Sequence, residues 1–126
     1  MDGFTERFNG WVTNIGMLPI CNASIVNFDL SLSGEGWHLR AGPPFRIFDQ
    51  FGRAVFSDSW WRVSEQNEEI PLADLVGDFL LSVRIPPGRG SVDLELKTKG
   101  SYNIEVFDFC GWESWAFAAR GSSWIW

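Results

Sequence analysis

Apolar and polar residues alternate along much of this chain. Val26, Phe28, Leu30 and Leu32 are separated by Asn27, Asp29 and Ser31, while Val92, Leu94 and Leu96 are separated by Asp93 and Glu95. A strand aims successive side chains at opposite faces, so each row predicts a strand with one buried and one wet face. Tyr102, Ile104 and Val106 predict another around Asn103 and Glu105. Phe79, Leu81, Val83 and Ile85 predict a fourth, and Trp11, Thr13, Ile15 and Met17 a weaker one. Turn signals at short intervals between these rows predict antiparallel pairing.

Aligning the rows exposes an internal repeat. Asp29-Leu30-Ser31-Leu32-Ser33-Gly34-Glu35-Gly36 matches Asp93-Leu94-Glu95-Leu96-Lys97-Thr98-Lys99-Gly100, and an aromatic strand follows each. Downstream, Phe48-Asp49-Gln50-Phe51-Gly52 corresponds to Phe117-Ala118-Ala119-Arg120-Gly121. Gly36, Gly52, Gly100 and Gly121 are each expected to close a hairpin turn in a positive-φ conformation that a Cβ would disfavour. Pro43-Pro44 and Pro86-Pro87 punctuate strand ends.

Between the halves the period changes. Pro71 suits a first helical turn, Glu68 and Glu69 the positive end of a helix, and Gly77 its stop. Leu72, Leu75 and Val76 would form its buried face. The fold class predicted is mainly β, of the α+β kind, as an antiparallel sheet or partly open barrel. Two duplicated hairpin units, about 22–57 and 90–126, are joined by an acidic loop and one short crossover helix at about 64–77, all within one domain spanning 1–126.

Composition supports a packed core. The chain has 126 residues, 45% of them apolar, including eight Trp and eleven Phe, and each buried ring removes on the order of 150–250 Å² from water. Such a length suits one domain. The formal charge is −6, and Lys97 and Lys99 are the only lysines. A phosphate backbone needs clustered Lys and Arg, so no nucleic-acid partner is expected, and a basic partner is electrostatically easier. No apolar run approaches the length of a membrane helix, so no membrane association is expected. Without a leader-like start, the cytoplasm is the expected compartment, and Cys21 and Cys110 are expected to be buried thiols.

Candidate chemistry is sparse. His38 alternates with Trp37 and Leu39 towards solvent and has no recognisable nucleophile or orienting carboxylate. Cys21, Cys110 and His38 lack paired metal-ligand spacing, and the acidic stretch near Glu65 lacks the alternation and central glycine of a calcium loop. Nothing selects an acid and base pair among sixteen carboxylates. No catalytic residue, metal or cofactor is therefore expected. The acidic block beside adjacent tryptophans is the candidate partner-binding surface: Asp58, Trp60, Trp61, Glu65, Glu68, Glu69 and Asp74. Aromatic residues often anchor protein contacts, although a solvated loop beside an ordinary core fits the same residues.

Gly10-Trp11-Val12, Phe45-Arg46-Ile47-Phe48-Asp49 with Gly52, Leu72–Val76, Glu113-Ser114-Trp115 and the terminal Trp126 resemble the pattern of a group of small bacterial β-rich domains. Such domains are similar to immunity proteins encoded beside polymorphic or contact-dependent growth-inhibition toxins. The resemblance implies a non-enzymatic protein that binds and neutralises a cognate toxin, often a basic nuclease, and brings no catalytic residues with it. A small-ligand carrier with an aromatic-lined sheet, or a structural module that self-associates into a homo-oligomer, are the alternative readings.

Overall fold

The computed structural model describes residues 3–56, 69–86, 94–107 and 115–125, with the backbone alone for Phe56 and Glu69–Pro71. The chain starts with a helix, α1 (Phe4–Thr13), where the weak Trp11–Met17 alternation predicts a strand. Phe4, Phe8, Trp11 and Val12 recur at helical spacing and turn one face inward; Phe8 and Val12 are buried. The helix stops at Asn14, whose side-chain amide donates to the Gly10 carbonyl at 3.2 Å.

Strands follow: β1 (Leu18–Pro19), β2 (Asn22–Val26), β3 (Asp29–Gly34), β4 (Trp37–Ala41), β5 (Phe45–Phe48), β6 (Ala54–Phe56) and β7 (Glu69–Pro71). After a 3-10 turn at Ala73–Leu75 come β8 (Phe79–Arg84), β9 (Leu94–Thr98), β10 (Asn103–Val106), β11 (Trp115–Ala119) and β12 (Ser122–Ile125). They form two antiparallel six-stranded sheets, ordered β1-β8-β9-β10-β5-β6 and β12-β11-β4-β3-β2-β7. The fold is mainly β, with two open sheets and no closed barrel.

The two sheet orders are one order written twice. Exchanging β1–β6 for β7–β12 converts either sheet into the other. The registers agree as well. Leu32 lies across from Leu39 and Leu30 from Ala41, as Leu96 does from Ile104 and Leu94 from Val106. Leu39 and Ala41 then face Phe117 and Trp115, as Ile104 and Val106 face Ile47 and Phe45. All of these side chains are buried and belong to one core. Each half also lends its last hairpin to the other half's sheet, since β5–β6 pairs on to β10 and β11–β12 on to β4.

Three further sequence expectations need correction. The span 64–77 contains, among the described residues, strand β7 and a single 3-10 turn in place of a crossover helix. Pro71 ends an edge strand, where its missing N–H costs no ladder bond. Leu75 is buried and Leu72 partly so, but Val76 is exposed. Second, Gly36, Gly52 and Gly121 take positive φ but Gly100 does not, and Ser101 occupies that conformation in its place. Gly100 is needed for space: its N–H donates to Asp78 Oδ1 at 3.0 Å, and a methyl there would sit 2.6 Å from Asp78 Oδ2. Third, Cys21 is an exposed free thiol; Cys110 lies outside the described residues. Among the described residues, no helix is long and apolar enough to cross a membrane.

Gly34 closes the second sheet against the chain that precedes it. A methyl at this position would overlap the Pro19 carbonyl oxygen, which accepts a 2.7 Å hydrogen bond from Trp37 Nε1.

Candidate functional site

The turns joining β5 to β6 and β9 to β10 lie beside the 3-10 turn, and together they frame a cleft of about 310 Å³. Asp49 shapes the first wall. Its Oδ1 accepts from the backbone N–H groups of Phe51 (2.9 Å) and Arg53 (3.0 Å), and its Oδ2 from Arg53 Nε (3.1 Å). A short polar side chain that bonds the backbone ahead of it turns the chain locally, and Gly52 completes the reversal at positive φ. The result holds Phe51 outward, 69% exposed, with the Arg53 guanidinium 5.0 Å above its ring.

Asp78 fixes the second wall by accepting from Phe79 N at 2.7 Å and from Gly100 N, so the start of β8 is tied to the β9–β10 turn. Tyr102 enters β10 beside it. The Tyr102 N–H donates to Thr98 Oγ1 at 3.1 Å and its carbonyl accepts from Thr98 N at 3.0 Å. That satisfies Thr98, which is 3% exposed. Asp74 supplies the third wall from the 3-10 turn, which Leu75 anchors in the core. Asp74 itself is exposed and makes no hydrogen bond or ion pair with another described residue.

These charges act on one another. The Arg53 backbone N–H, foremost, and then the Phe51 N–H and the Arg53 guanidinium hold the Asp49 carboxyl below its usual range, against an opposing effect of burial. The Tyr102 phenol is pushed above its ordinary value first by loss of water, then by the negative charges of Asp74, Asp49 and Asp78. The cleft is therefore a negative site with an aromatic floor and an aromatic rim, suited to a guanidinium or ammonium group. Among the described residues, no three His, Cys, Asp or Glu side chains are placed to hold a metal ion.

Of the residues expected from sequence to bind a partner, Asp74 lines this cleft. Glu69 begins β7, and only its backbone is described. Asp58, Trp60, Trp61, Glu65 and Glu68 lie outside the described residues. His38 stands exposed on the outer face of β4, across from Ser33 and Ala118. The sequence reading did not select Asp49, Phe51, Arg53 or Tyr102 for a site. Asp49 and Gly52 were visible as turn residues and Tyr102 as a strand residue, but their approach to Asp74 depends on the pairing of β5 with β10.

A second aromatic concentration does a different job. Phe8 of α1 packs against Trp115, Phe117 and Trp124 with ring centroids 5.0, 6.1 and 5.5 Å away, and Trp11 lies 5.6 Å from Trp124. These rings dock the helix on β11 and β12. Compared with known proteins, the chain matches no family model, no curated protein and no solved structure.

Proposed function

We propose that this chain is a non-catalytic binding protein whose acidic turn end takes up a basic protein partner, as a bacterial immunity protein acting in the cytoplasm to neutralise a cognate toxin. The observation that carries the reading is the convergence of Asp49, Asp74 and Asp78 on Tyr102 beside exposed Phe51. Carboxylates around a partly desolvated aromatic floor attract an Arg or Lys side chain, while an exposed ring at the rim offers apolar area for the remainder of the contact. The formal charge of −6 speeds encounter with a basic partner. Two of the three carboxylates already hold the turns in place, so the walls are preorganised and binding costs little further ordering.

The test is to co-express the chain with the product of the adjacent gene and to read growth rescue and co-purification. Asp74→Arg is the informative substitution, because Asp74 bonds no described residue and its reversal leaves the turns intact. We expect it to slow association about tenfold or more and to flatten the salt dependence. A harmless neighbour that forms no complex, or an Asp74→Arg protein that binds and rescues like the parent, would overturn the reading.

A further inference from the structure

The repeat in sheet order exposes an asymmetry between two edges. In the second sheet the outer edge of β2 is covered by β7, with Ile70 across from Ile25 and Glu69 across from Val26. The neighbouring Ala23 carbonyl accepts from Leu72 N at 3.0 Å. By register, Val83 and Ile85 on β8 are the counterparts of Ala23 and Ile25, since Val83 faces Leu96 as Ala23 faces Leu32. Among the described residues, no strand lies at that place in the first sheet. β1 covers only Phe79 and Leu80, and the Asn9 side chain takes the position of the missing strand at Ile85. Asn9 Oδ1 accepts from Ile85 N at 2.8 Å and Nδ2 donates to Ile85 O at 2.9 Å.

Successive strand residues aim their backbone groups to alternate sides. Ile85 aims both of its groups at Asn9, so Val83 aims its N–H and C=O outward too, and no described residue takes them up. Between this edge and the end of α1 runs a groove of about 200 Å³, walled by Val12 and Ile15 and floored by Leu80 and Val83. Met17 and Leu81 extend it with exposed apolar surface. Arg84 lines the groove and is exposed, with its guanidinium ion-paired to Glu95 Oε1 at 3.0 Å, and Lys97 is exposed across from Ser82 on the adjoining β9.

We propose that this open stretch of the β8 edge accepts a short extended segment of a protein partner, as the β2 edge accepts Glu69–Pro71. The apolar groove and the unpaired Val83 amide call for an apolar residue with free backbone groups, and the exposed Arg84 and Lys97 call for acidic residues beside it. The surface is separate from the acidic cleft and stands independently of the function assigned to it.

The test uses the full-length ¹⁵N-labelled chain and the synthetic peptide acetyl-Glu-Val-Glu-Ile-Glu-amide. Titration to millimolar peptide is expected to shift the amide resonances of Leu81–Ile85 and to slow hydrogen exchange of the Val83 N–H about tenfold. Replacing the peptide's Val by Pro, or its Glu residues by Lys, should abolish the response, and Arg84→Glu should weaken it about fivefold. The proposal is overturned by unchanged resonances at Leu81–Ile85 or by an equal response to the Pro peptide. It also fails if protection of Val83 rises with protein concentration alone, which would make the occupant a second copy of the chain.

Discussion

Tyr102 is the chain's one tyrosine, so its phenol can be titrated by absorbance without interference from another. Desolvation and the charges of Asp74, Asp49 and Asp78 raise its ionisation above the ordinary 10.0. We expect the midpoint of the phenolate absorbance to lie above that value and to fall towards it in Asp74→Asn. A midpoint indifferent to the substitution would separate Asp74 from Tyr102 electrically. The sign for stability follows: a raised folded value means the contribution is intact below pH 10.0 and is lost as pH climbs through the folded value. Asp49 behaves oppositely. Its folded value lies below 3.8, so its bonds to Phe51 and Arg53 stabilise the fold above that pH and lose their effect as acid protonates it. Urea unfolding should therefore show Asp49→Asn less stable than the parent near neutral pH, with the gap closing on acidification below the ordinary carboxylate range. At this scale the sequence was partly readable: Asp74 stood out in an acidic block and Asp49 in a turn. What joins them to Tyr102 is a pairing between strands far apart in the chain, which no local pattern encodes.

At the scale of elements, α1 and β7 do equivalent work by different means, both closing the edge of a sheet. Asn9 alone supplies both bonds that tie the helix to Ile85, with a side-chain amide that copies the donor and acceptor of a peptide group. Asn9→Ala should cost about 1–3 kcal/mol, because it strands a partly buried N–H and C=O. Asn9→Asp should recover little, since a carboxylate accepts from Ile85 N but repels the Ile85 carbonyl. The measurement is the urea midpoint of each variant, and an Asn9→Ala protein as stable as the parent would show that the rings alone hold α1. The helix escaped the alternation pattern because Trp11, Thr13, Ile15 and Met17 span two conformations: the first two residues end the helix, and the last two belong to the connection into β1. The strands β3, β4, β9 and β10 were readable because each alternates over a complete hairpin. β7 is three residues long and ends in proline, too short for alternation to register, so helix-start signals around Pro71 prevailed.

The whole molecule is held together by exchange between its halves. The first sheet takes β1, β5 and β6 from the first half and β8, β9 and β10 from the second, while the other sheet takes β2, β3 and β4 from the first and β7, β11 and β12 from the second. Sequence repetition pointed to duplicated hairpins but not to their exchange. Periodicity reports which face of a strand is buried and is silent about which neighbour buries it. The consequence is cooperative. A half standing alone would expose the edge of β4 without β11, or of β10 without β5, and would leave Leu39 or Ile104 uncovered on one side. Dividing the chain between Phe56 and Glu69 should thus give two fragments, neither with a cooperative thermal transition. Mixed in equal amounts they should regain one transition together with the near-ultraviolet tryptophan signal, because both pairings, β4 with β11 and β5 with β10, form only when the two are present. A cooperative transition from either fragment alone would mean that the exchanged hairpins decorate the fold without completing it.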